Sequence, residues 1–169
     1  MAVAMTLMRL RQSNRMLHLF DTFEGMPPSA DIDRDYSGRS ASENRQTCRW
    51  STPESWCRAG IEEVTQNLFT TGYPSDLLRF VPGRVEDTIP QHAPQSISLL
   101  RLDTDWYEST RHEFEHLYPR LVPGGVLIVD DYGYWQGARR ATDEYLASLR
   151  NPPLLCRIDT CGCIAVKPG

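Results

Sequence analysis

The sequence lacks several features that mark other classes of protein. No lysine precedes Lys167, and the arginines are scattered instead of forming a basic face interleaved with aromatic residues, so no nucleic-acid partner is predicted. No apolar run approaches the roughly 20 residues of a membrane span. The N-terminus is apolar first and basic afterwards, the reverse of a secretory signal. Without a membrane span or a secretory signal, we expect a cytoplasmic protein with no membrane partner. Its net charge is −4.

Paired metal-binding cysteines are also missing, because the five cysteines form no CxxC pair. Buried structural thiols are expected instead. Internal repeats and low-complexity tracts are absent as well. A length of 169 residues with 40% hydrophobic content suits one domain with a real core, spanning residues 1–169.

What the sequence does contain is two apolar runs that each end in acid. Residues 97–102 lead to Asp103 and Asp105, and residues 125–129 lead to Asp130 and Asp131. An apolar stripe at helical spacing predicts a helix between them, over residues 109–121. Strand, helix and strand of these lengths form a right-handed crossover between parallel strands, so both acid pairs leave the sheet at its carboxyl edge.

Four carboxylates in one small volume repel one another unless a positive charge lies among them. A divalent cation with oxygen ligands, such as Mg²⁺, is the simplest such charge. The alternative is that these acids only terminate strands and cap the following helices.

The remaining chain alternates helices with short apolar strands, which predicts an α/β sheet, mostly parallel. One strand ends at Asp21, and another, at 77–81, precedes Glu86 and Asp87. Residues 29–50 show no periodicity and are expected to form a lid or a mobile loop. A capping box is predicted at 51–54, ahead of a helix that ends near Gly72. Residues 154–167 predict a terminal antiparallel hairpin.

Two aromatic residues, Tyr134 and Trp135, follow the second acid pair. They are expected either to line a substrate pocket or to pack as an ordinary loop.

Taken in order, four segments resemble motifs of one known family. They are FDTFEGMP at 20–27, Gly83 with EDTIP at 86–90, LDTDWYEST at 102–110 with LYP at 117–119, and PGG at 123–125 through DDY at 130–132 with GAR at 137–139. Together they resemble the macrocin O-methyltransferase family of natural-product sugar methyltransferases, over essentially the whole chain.

The resemblance implies a Rossmann-like class I methyltransferase sheet, with S-adenosylmethionine as methyl donor and Mg²⁺ as a second cofactor. It places Asp103, Asp130 and Asp131 on the metal and makes Asp105 the general base. For S-adenosylmethionine, it places Asp21 at the ribose and both Glu86 and Asp87 by the adenine. It also makes Thr22, Phe23 and Asp103 cofactor-binding residues. The substrate would be a glycosylated natural product, and a homodimer is one assembly expected.

Members of that family place a first strand and a Gly-rich turn ahead of the helix that here begins at Met1. The chain is therefore expected to lack that strand, which would lie between the strands ending at Asp21 and Asp103 and whose absence would expose two strand edges. One alternative is thus a truncated, inactive relative or a subunit that pairs with another chain.

Two other enzyme classes share part of the pattern. An apolar strand followed by Asp-x-Asp is also typical of haloacid dehalogenase-like phosphatases, with Asp103 as nucleophile, Asp105 as acid/base and Asp131 on the metal. Those enzymes need a Ser/Thr and a Lys between the two motifs, and no Lys occurs there. A metal-dependent glycosyltransferase is an equally weak match.

Overall fold

The computed structural model describes residues 1–48, 52 and 56–169. Its helices are α1 (Ala2–Arg9), α2 (Ala41–Thr47), α3 (Ile61–Phe69), α4 (Val85–Thr88), α5 (Tyr107–Leu117) and α6 (Gln136–Ser148). Its strands are β1 (Leu17–Asp21), β2 (Leu78–Pro82), β3 (Ile97–Leu102), β4 (Leu121–Val129), β5 (Cys156–Arg157) and β6 (Cys163–Val166).

The strands confirm the predicted α/β class. β1 pairs in parallel with β2, and β3 pairs in parallel with β4. β6 lies antiparallel to both β4 and β5, so the chain ends in the predicted antiparallel hairpin. The second sheet therefore has the order β3-β4-β6-β5.

Within the described residues, the sheet is divided between β1 and β3. β1–β2 form a two-stranded sheet separate from the four strands that begin with β3. A side-chain hydrogen bond joins the two sides, from Arg15 Nη1 to Ser98 Oγ at 3.4 Å, and Phe20 of β1 packs against the core that contains Leu100 and Leu102 of β3. Beside this division the ring Nδ1 of His18 on β1 is buried with no hydrogen-bond partner among the described residues. The division falls where the resemblance puts the expected first strand.

The main core lies between the four-stranded sheet and helices α5 and α6. Phe114 and Leu127 are completely buried there, and Leu102, Leu121 and Val129 are nearly so. Each such side chain contributes roughly 1.5–3 kcal/mol relative to an exposed one. This packing fixes β3 and β4 side by side, which fixes the loops that carry the acids.

A smaller core supports β1 and β2 from α1 and α3. Its buried members are Ala4, Leu68, Tyr73 and Leu78. The Tyr73 hydroxyl donates to the carbonyl of Arg15 at 2.6 Å, which fixes the start of β1.

The segment predicted as a lid contains regular structure. Helix α2 lies within it and begins at a capping box, in which Ser40 and Glu43 bond each other's backbone N–H. Asp33 and Asp35, on the same segment, are almost completely buried. Its action as a lid stays a prediction.

The capping box predicted at 51–54 falls outside the described residues, apart from Thr52. Helix α3 begins at Ile61, with Gly60 as its N-cap, and ends at Phe69, shortly before Gly72 as predicted. Among the described residues, no helix is long and apolar enough to cross a membrane.

The expectation of buried thiols holds for one cysteine and is wrong for two. Cys163 is buried on β6, whereas Cys57 and Cys156 are exposed. Cys57 lies in a loop that lines a cavity, and Cys156 lies on the outer strand of the sheet.

Candidate active site

A cavity of about 750 Å³ lies at the carboxyl ends of the parallel strands. Each of the four strands β1 to β4 brings a residue to the cavity lining: Asp21 is the last residue of β1, and Gly83, Asp103 and Asp131 follow the other three strands. The carboxyl edge of a parallel sheet is where α/β proteins bind ligands. The cavity size is in the range of small-molecule sites.

Three of the predicted acids meet in this cavity. Carboxylate oxygens of Asp103, Asp105 and Asp131 lie within 4.8 Å of one another. β3 supplies the first two and β4 the third, so the adjacent parallel strands produce the cluster as predicted. Oxygen ligands at this separation fit a hard divalent cation such as Mg²⁺. We refer to Asp103, Asp105 and Asp131 as the acid cluster.

The fourth acid, Asp130, lies beside the cluster and is paired with an arginine. Arg101 Nη2 lies 2.9 Å from Asp130 Oδ1, and its Nη1 forms an ion pair with Asp103. Sequence reasoning missed Arg101. Alternation along β3 was the available signal, because residues 101 and 103 project to the same side of an extended chain.

The pKa values of all three acids of the cluster are raised. Burial raises the pKa of Asp105, and the neighbouring carboxyl of Asp131 raises it further. Burial and the carboxyl of Asp130 likewise raise the pKa of Asp103, although Arg101 opposes this. The pKa of Asp131 is also raised, chiefly by burial. Binding a cation would remove the repulsion that causes part of these shifts.

The backbone at Asp105 adopts an uncommon conformation. Its φ is 66°, in the left-handed region, and the Trp106 N–H donates to the Thr104 carbonyl at 2.7 Å. An i to i+2 hydrogen bond around a central residue with positive φ is a γ-turn of the rare, strained type. Such strain persists only where the surroundings hold it in place.

The residues predicted around S-adenosylmethionine divide into two groups. Asp21, Thr22, Glu86 and Asp103 line the cavity. Phe23 is instead buried against Phe80, and its N–H donates to Asp21 Oδ1 at 2.6 Å. Asp87 is exposed outside the cavity lining. The structure thus brings the first four together and leaves the side chains of Phe23 and Asp87 outside.

Glu86 is held as an ion at the cavity wall. Ser109 Oγ donates to it at 2.7 Å, and Arg84 Nε lies 3.4 Å away. Burial alone would raise the pKa of Glu86, but the Ser109 hydrogen bond and Arg84 outweigh it and lower the pKa.

An aromatic wall, formed by Trp56, Tyr134 and Trp135, lies on another side of the cavity. The Trp135 ring meets those of Trp56 and Tyr134 edge to face, with centroids 6.4 and 5.0 Å away. Tyr134 and Trp135 line the cavity, and Trp135 also packs in a buried cluster with Trp106, so both alternatives describe part of the arrangement. A role of this wall in binding substrate stays a prediction. Trp56 was missed, and it reaches the wall by tertiary folding that has no local signal.

Known proteins resemble this chain over most of its length. The sequence profile of the family described as macrocin O-methyltransferase (TylF) matches residues 1–166. A demethyldecarbamoylnovobiocin O-methyltransferase of Streptomyces niveus is 33% identical over 151 residues, which are 88% of this chain and 54% of that protein. An 8-demethyl-8-(2,3-dimethoxy-alpha-L-rhamnosyl)-tetracenomycin-C 4'-O-methyltransferase of Streptomyces olivaceus is 34% identical over 131 residues, 78% of this chain and 47% of that protein.

Among solved structures, that of the O-methyltransferase NovP superposes with a TM-score of 0.77 at 29% identity. The match covers 96% of this chain and 64% of NovP. The chain spans about half the length of the curated relatives it matches. With the class I methyltransferase architecture and a family profile matched from residue 1 to residue 166, the chain belongs to the macrocin O-methyltransferase family.

Proposed function

We propose that the chain is an S-adenosylmethionine-dependent O-methyltransferase that acts on a sugar hydroxyl of a natural product, with Mg²⁺ orienting the acceptor. The observation that carries the proposal is the acid cluster, which opens into the same cavity as Asp21 and Glu86. One cavity thus holds a candidate cation site and a candidate nucleoside site.

When bound, S-adenosylmethionine supplies an electrophilic methyl group, and Mg²⁺ lowers the pKa of the acceptor hydroxyl. Asp21, at the end of β1, is placed to accept hydrogen bonds from ribose hydroxyls, as acids at this position do in nucleotide-binding sheets. Glu86 and Thr22 line the same part of the cavity. These residues would hold the nucleoside and exclude water.

Asp105 is the proposed general base. Its carboxyl lies inside the cavity beside Asp131. Burial and the neighbouring carboxyl of Asp131 raise its pKa to about 9, so it holds a proton at neutral pH until a cation offsets the repulsion. With a cation bound, Asp105 would be ionised and able to accept a proton. As the acceptor oxygen forms its bond to the methyl carbon, Asp105 would take the hydroxyl proton. A base with a pKa near the working pH is effective in such transfers.

Asp103 and Asp131 are the proposed cation ligands, with Asp130 beside them. Asp130 contacts Arg101, so it would join the ligand set only by giving up part of that ion pair. The assignment of Asp130 therefore stays a prediction. The main contribution of the protein would be positioning and electrostatics, since methyl transfer needs little covalent chemistry.

The sugar acceptor is proposed from the relatives. One is named for methylation of a rhamnosyl group at its 4' oxygen, and another for methylation of a novobiocin precursor. The aromatic wall supplies flat apolar faces on one side of the cavity, which suit the apolar part of a glycoside. The cytoplasmic location and the homodimer stay predictions.

Calorimetric titration with S-adenosylmethionine, with and without Mg²⁺, tests the proposal first. Saturable binding that weakens in Asp21→Ala is expected. Transfer of a labelled methyl group to a panel of deoxyglycosylated natural products then tests the acceptor class. An absence of binding in a correctly folded protein would contradict the proposal.

A second candidate function is a subunit whose sheet is completed by another chain. The division between β1 and β3 favours it, because both strands present an edge without a ladder partner among the described residues. Sedimentation of the purified chain tests it: a monomer that binds S-adenosylmethionine would contradict this candidate.

A further inference from the structure

The acid cluster contains one residue with a strained backbone, Asp105, whose φ is 66°. A left-handed residue other than glycine costs of order 1 kcal/mol or more, so neighbouring contacts must hold it. Contacts before and after Asp105 supply this support.

On the side before Asp105, the contact is between Thr104 and Glu113. Thr104 Oγ1 donates to Glu113 Oε2 at 2.8 Å. Glu113 lies on α5 and is only 5% exposed, although α5 has open positions for an acid on its outer face. A buried carboxyl costs free energy unless it is satisfied, and Thr104 is the side-chain hydrogen-bond donor that the structure gives it.

On the side after Asp105, two contacts fix the chain. The Trp106 indole N–H donates to the Pro27 carbonyl at 3.0 Å, and the Tyr107 N–H donates to Asp33 Oδ1 at 2.8 Å. Trp106 is also buried against Trp135, with ring centroids 5.0 Å apart. The turn is thus held at both ends, and the Thr104–Glu113 bond is the contact at its first residue.

We propose that Glu113 is a positioning residue, which acts through Thr104 to hold Asp105 in the γ-turn that directs its carboxyl into the acid cluster. The catalytic part of this inference rests on the proposed function. The structural part does not, since it concerns the turn alone. Glu113 itself lies outside the cavity lining and the acid cluster, but it bonds Thr104, which lines the cavity, so its effect passes through Thr104 and the backbone of residues 104–106.

The test compares three variants of the full chain. Thr104→Val keeps the shape of the side chain but removes the donor to Glu113. Thr104→Ser keeps the donor and serves as the rescue. Thr142→Val is the control for loss of a threonine hydroxyl, because this hydroxyl bonds the Ala138 carbonyl on α6, away from the turn. Thr142 is fully buried and Thr104 half-buried, so any effect of packing alone should be larger in the control.

The first readout is amide hydrogen exchange at Trp106, whose N–H closes the γ-turn. We expect this exchange to become about tenfold faster in Thr104→Val, as for the loss of one hydrogen bond, and to return towards the wild-type rate in Thr104→Ser. Unchanged exchange in Thr104→Val, or an equal change in Thr142→Val, would overturn the proposal.

The second readout is turnover with S-adenosylmethionine. A displaced base should lower kcat by roughly 10- to 100-fold in Thr104→Val while KM for S-adenosylmethionine stays constant, because the nucleoside contacts are elsewhere. If Thr104→Val exchanges the Trp106 amide hydrogen faster but keeps the wild-type kcat, the catalytic role of the Thr104–Glu113 hydrogen bond is overturned. If the wild type neither binds S-adenosylmethionine nor turns over, the proposed function fails. Faster Trp106 exchange in Thr104→Val would then still support the structural part, in which Glu113 holds the turn through Thr104.

Discussion

Two buried aspartates of this protein, Asp35 and Asp105, have opposite surroundings. Asp35 is fully buried in the segment before α2 and accepts hydrogen bonds from Ser37, Arg39 and Asn44. Asp105 is partly buried in the cavity, and its nearest charged neighbours are other carboxylates. Burial alone would raise the pKa of Asp35, but its hydrogen bonds outweigh burial and hold the pKa well below its usual range, whereas that of Asp105 is raised.

The difference distinguishes a structural acid from a candidate functional one. Donors that converge on Asp35 leave no reason for a ligand, because its charge is already compensated. The acid cluster has Arg101 as its one paired cation among the described residues, and that cation serves Asp103 and Asp130. Carboxylates that repel one another in a cavity favour a cationic ligand.

The largest expected effect comes from Asp105→Asn. Asparagine tolerates positive φ, so the turn should survive while the proton acceptor is lost. Turnover should fall by roughly 10²- to 10⁴-fold, measured as labelled methyl transfer. Mg²⁺ binding should largely survive, since Asp103 and Asp131 remain.

The reverse result, in which Mg²⁺ binding is lost and turnover persists, would show that Asp105 is a ligand and not the base.

A second prediction uses Glu113, which is buried like Asp35 but has few donors. Burial raises its pKa to about 8, against 4.5 for the unperturbed group, and the Thr104 hydrogen bond opposes the shift only in part. Between these two values the folded state holds a proton that the unfolded state has released. Stability should therefore fall as pH rises through this window, by up to about 5 kcal/mol in total.

In Glu113→Gln this pH dependence should disappear, because glutamine mimics the neutral acid. Urea unfolding at pH 5 and pH 8 measures it. Parallel pH profiles for the wild type and the variant would contradict a raised pKa for Glu113.

A third prediction concerns the support that the Asp33 loop gives to the site. A Cβ added at Gly137 would lie 2.1 Å from Asp33 Oδ1 and 3.0 Å from the Tyr107 nitrogen. Gly137→Ala should therefore displace Asp33 from the start of α5 and cost about 2–3 kcal/mol, through overpacking and a lost hydrogen bond.

Thermal unfolding measures this cost. Gly60→Ala is the control for the loss of a glycine, since its φ is −68° and a Cβ there would meet Glu62 Oε2 at an ordinary 3.8 Å. Equal destabilisation by both changes would argue against the close approach of Asp33.

A smaller effect is expected from Asp35→Asn. A group with a lowered pKa stabilises the fold above its unfolded pKa, and that contribution is lost as pH falls below about 4 through the folded value. The variant should lose about 1–3 kcal/mol at pH 7, from weakened hydrogen bonds to Ser37 and Arg39. The difference from wild type should shrink in acid, as measured by urea unfolding at pH 7 and pH 3.

A difference that grew in acid would show that Asp35 is not held as an anion.

Sequence alone was sufficient for the fold and for three of the acids at the cavity. Apolar runs and helix periodicity predict β3, α5 and β4, and the crossover rule then places Asp103, Asp105 and Asp131 at one edge. The placement of these three acids follows from the local sequence pattern and from the general handedness of crossovers between parallel strands.

Contacts between distant loops could not be predicted in this way. The Asp33 bond to Tyr107 spans 74 residues and leaves no periodic trace in a polar loop. Glu113 did leave a trace, because it lies one residue before Phe114 on the apolar stripe of α5, where a charge is out of place.

Titration of the protein with Mg²⁺ at pH 7 tests the central claim most directly, with calorimetry in two buffers of different ionisation enthalpy. The account predicts one Mg²⁺ per chain, with protons released because the raised pKa values of Asp103 and Asp105 keep protons on the cluster until the cation binds. Binding should weaken strongly in Asp131→Asn and remain in Asp35→Asn. Absence of binding in the folded wild-type protein, or binding without proton release that Asp131→Asn leaves unchanged, would contradict it.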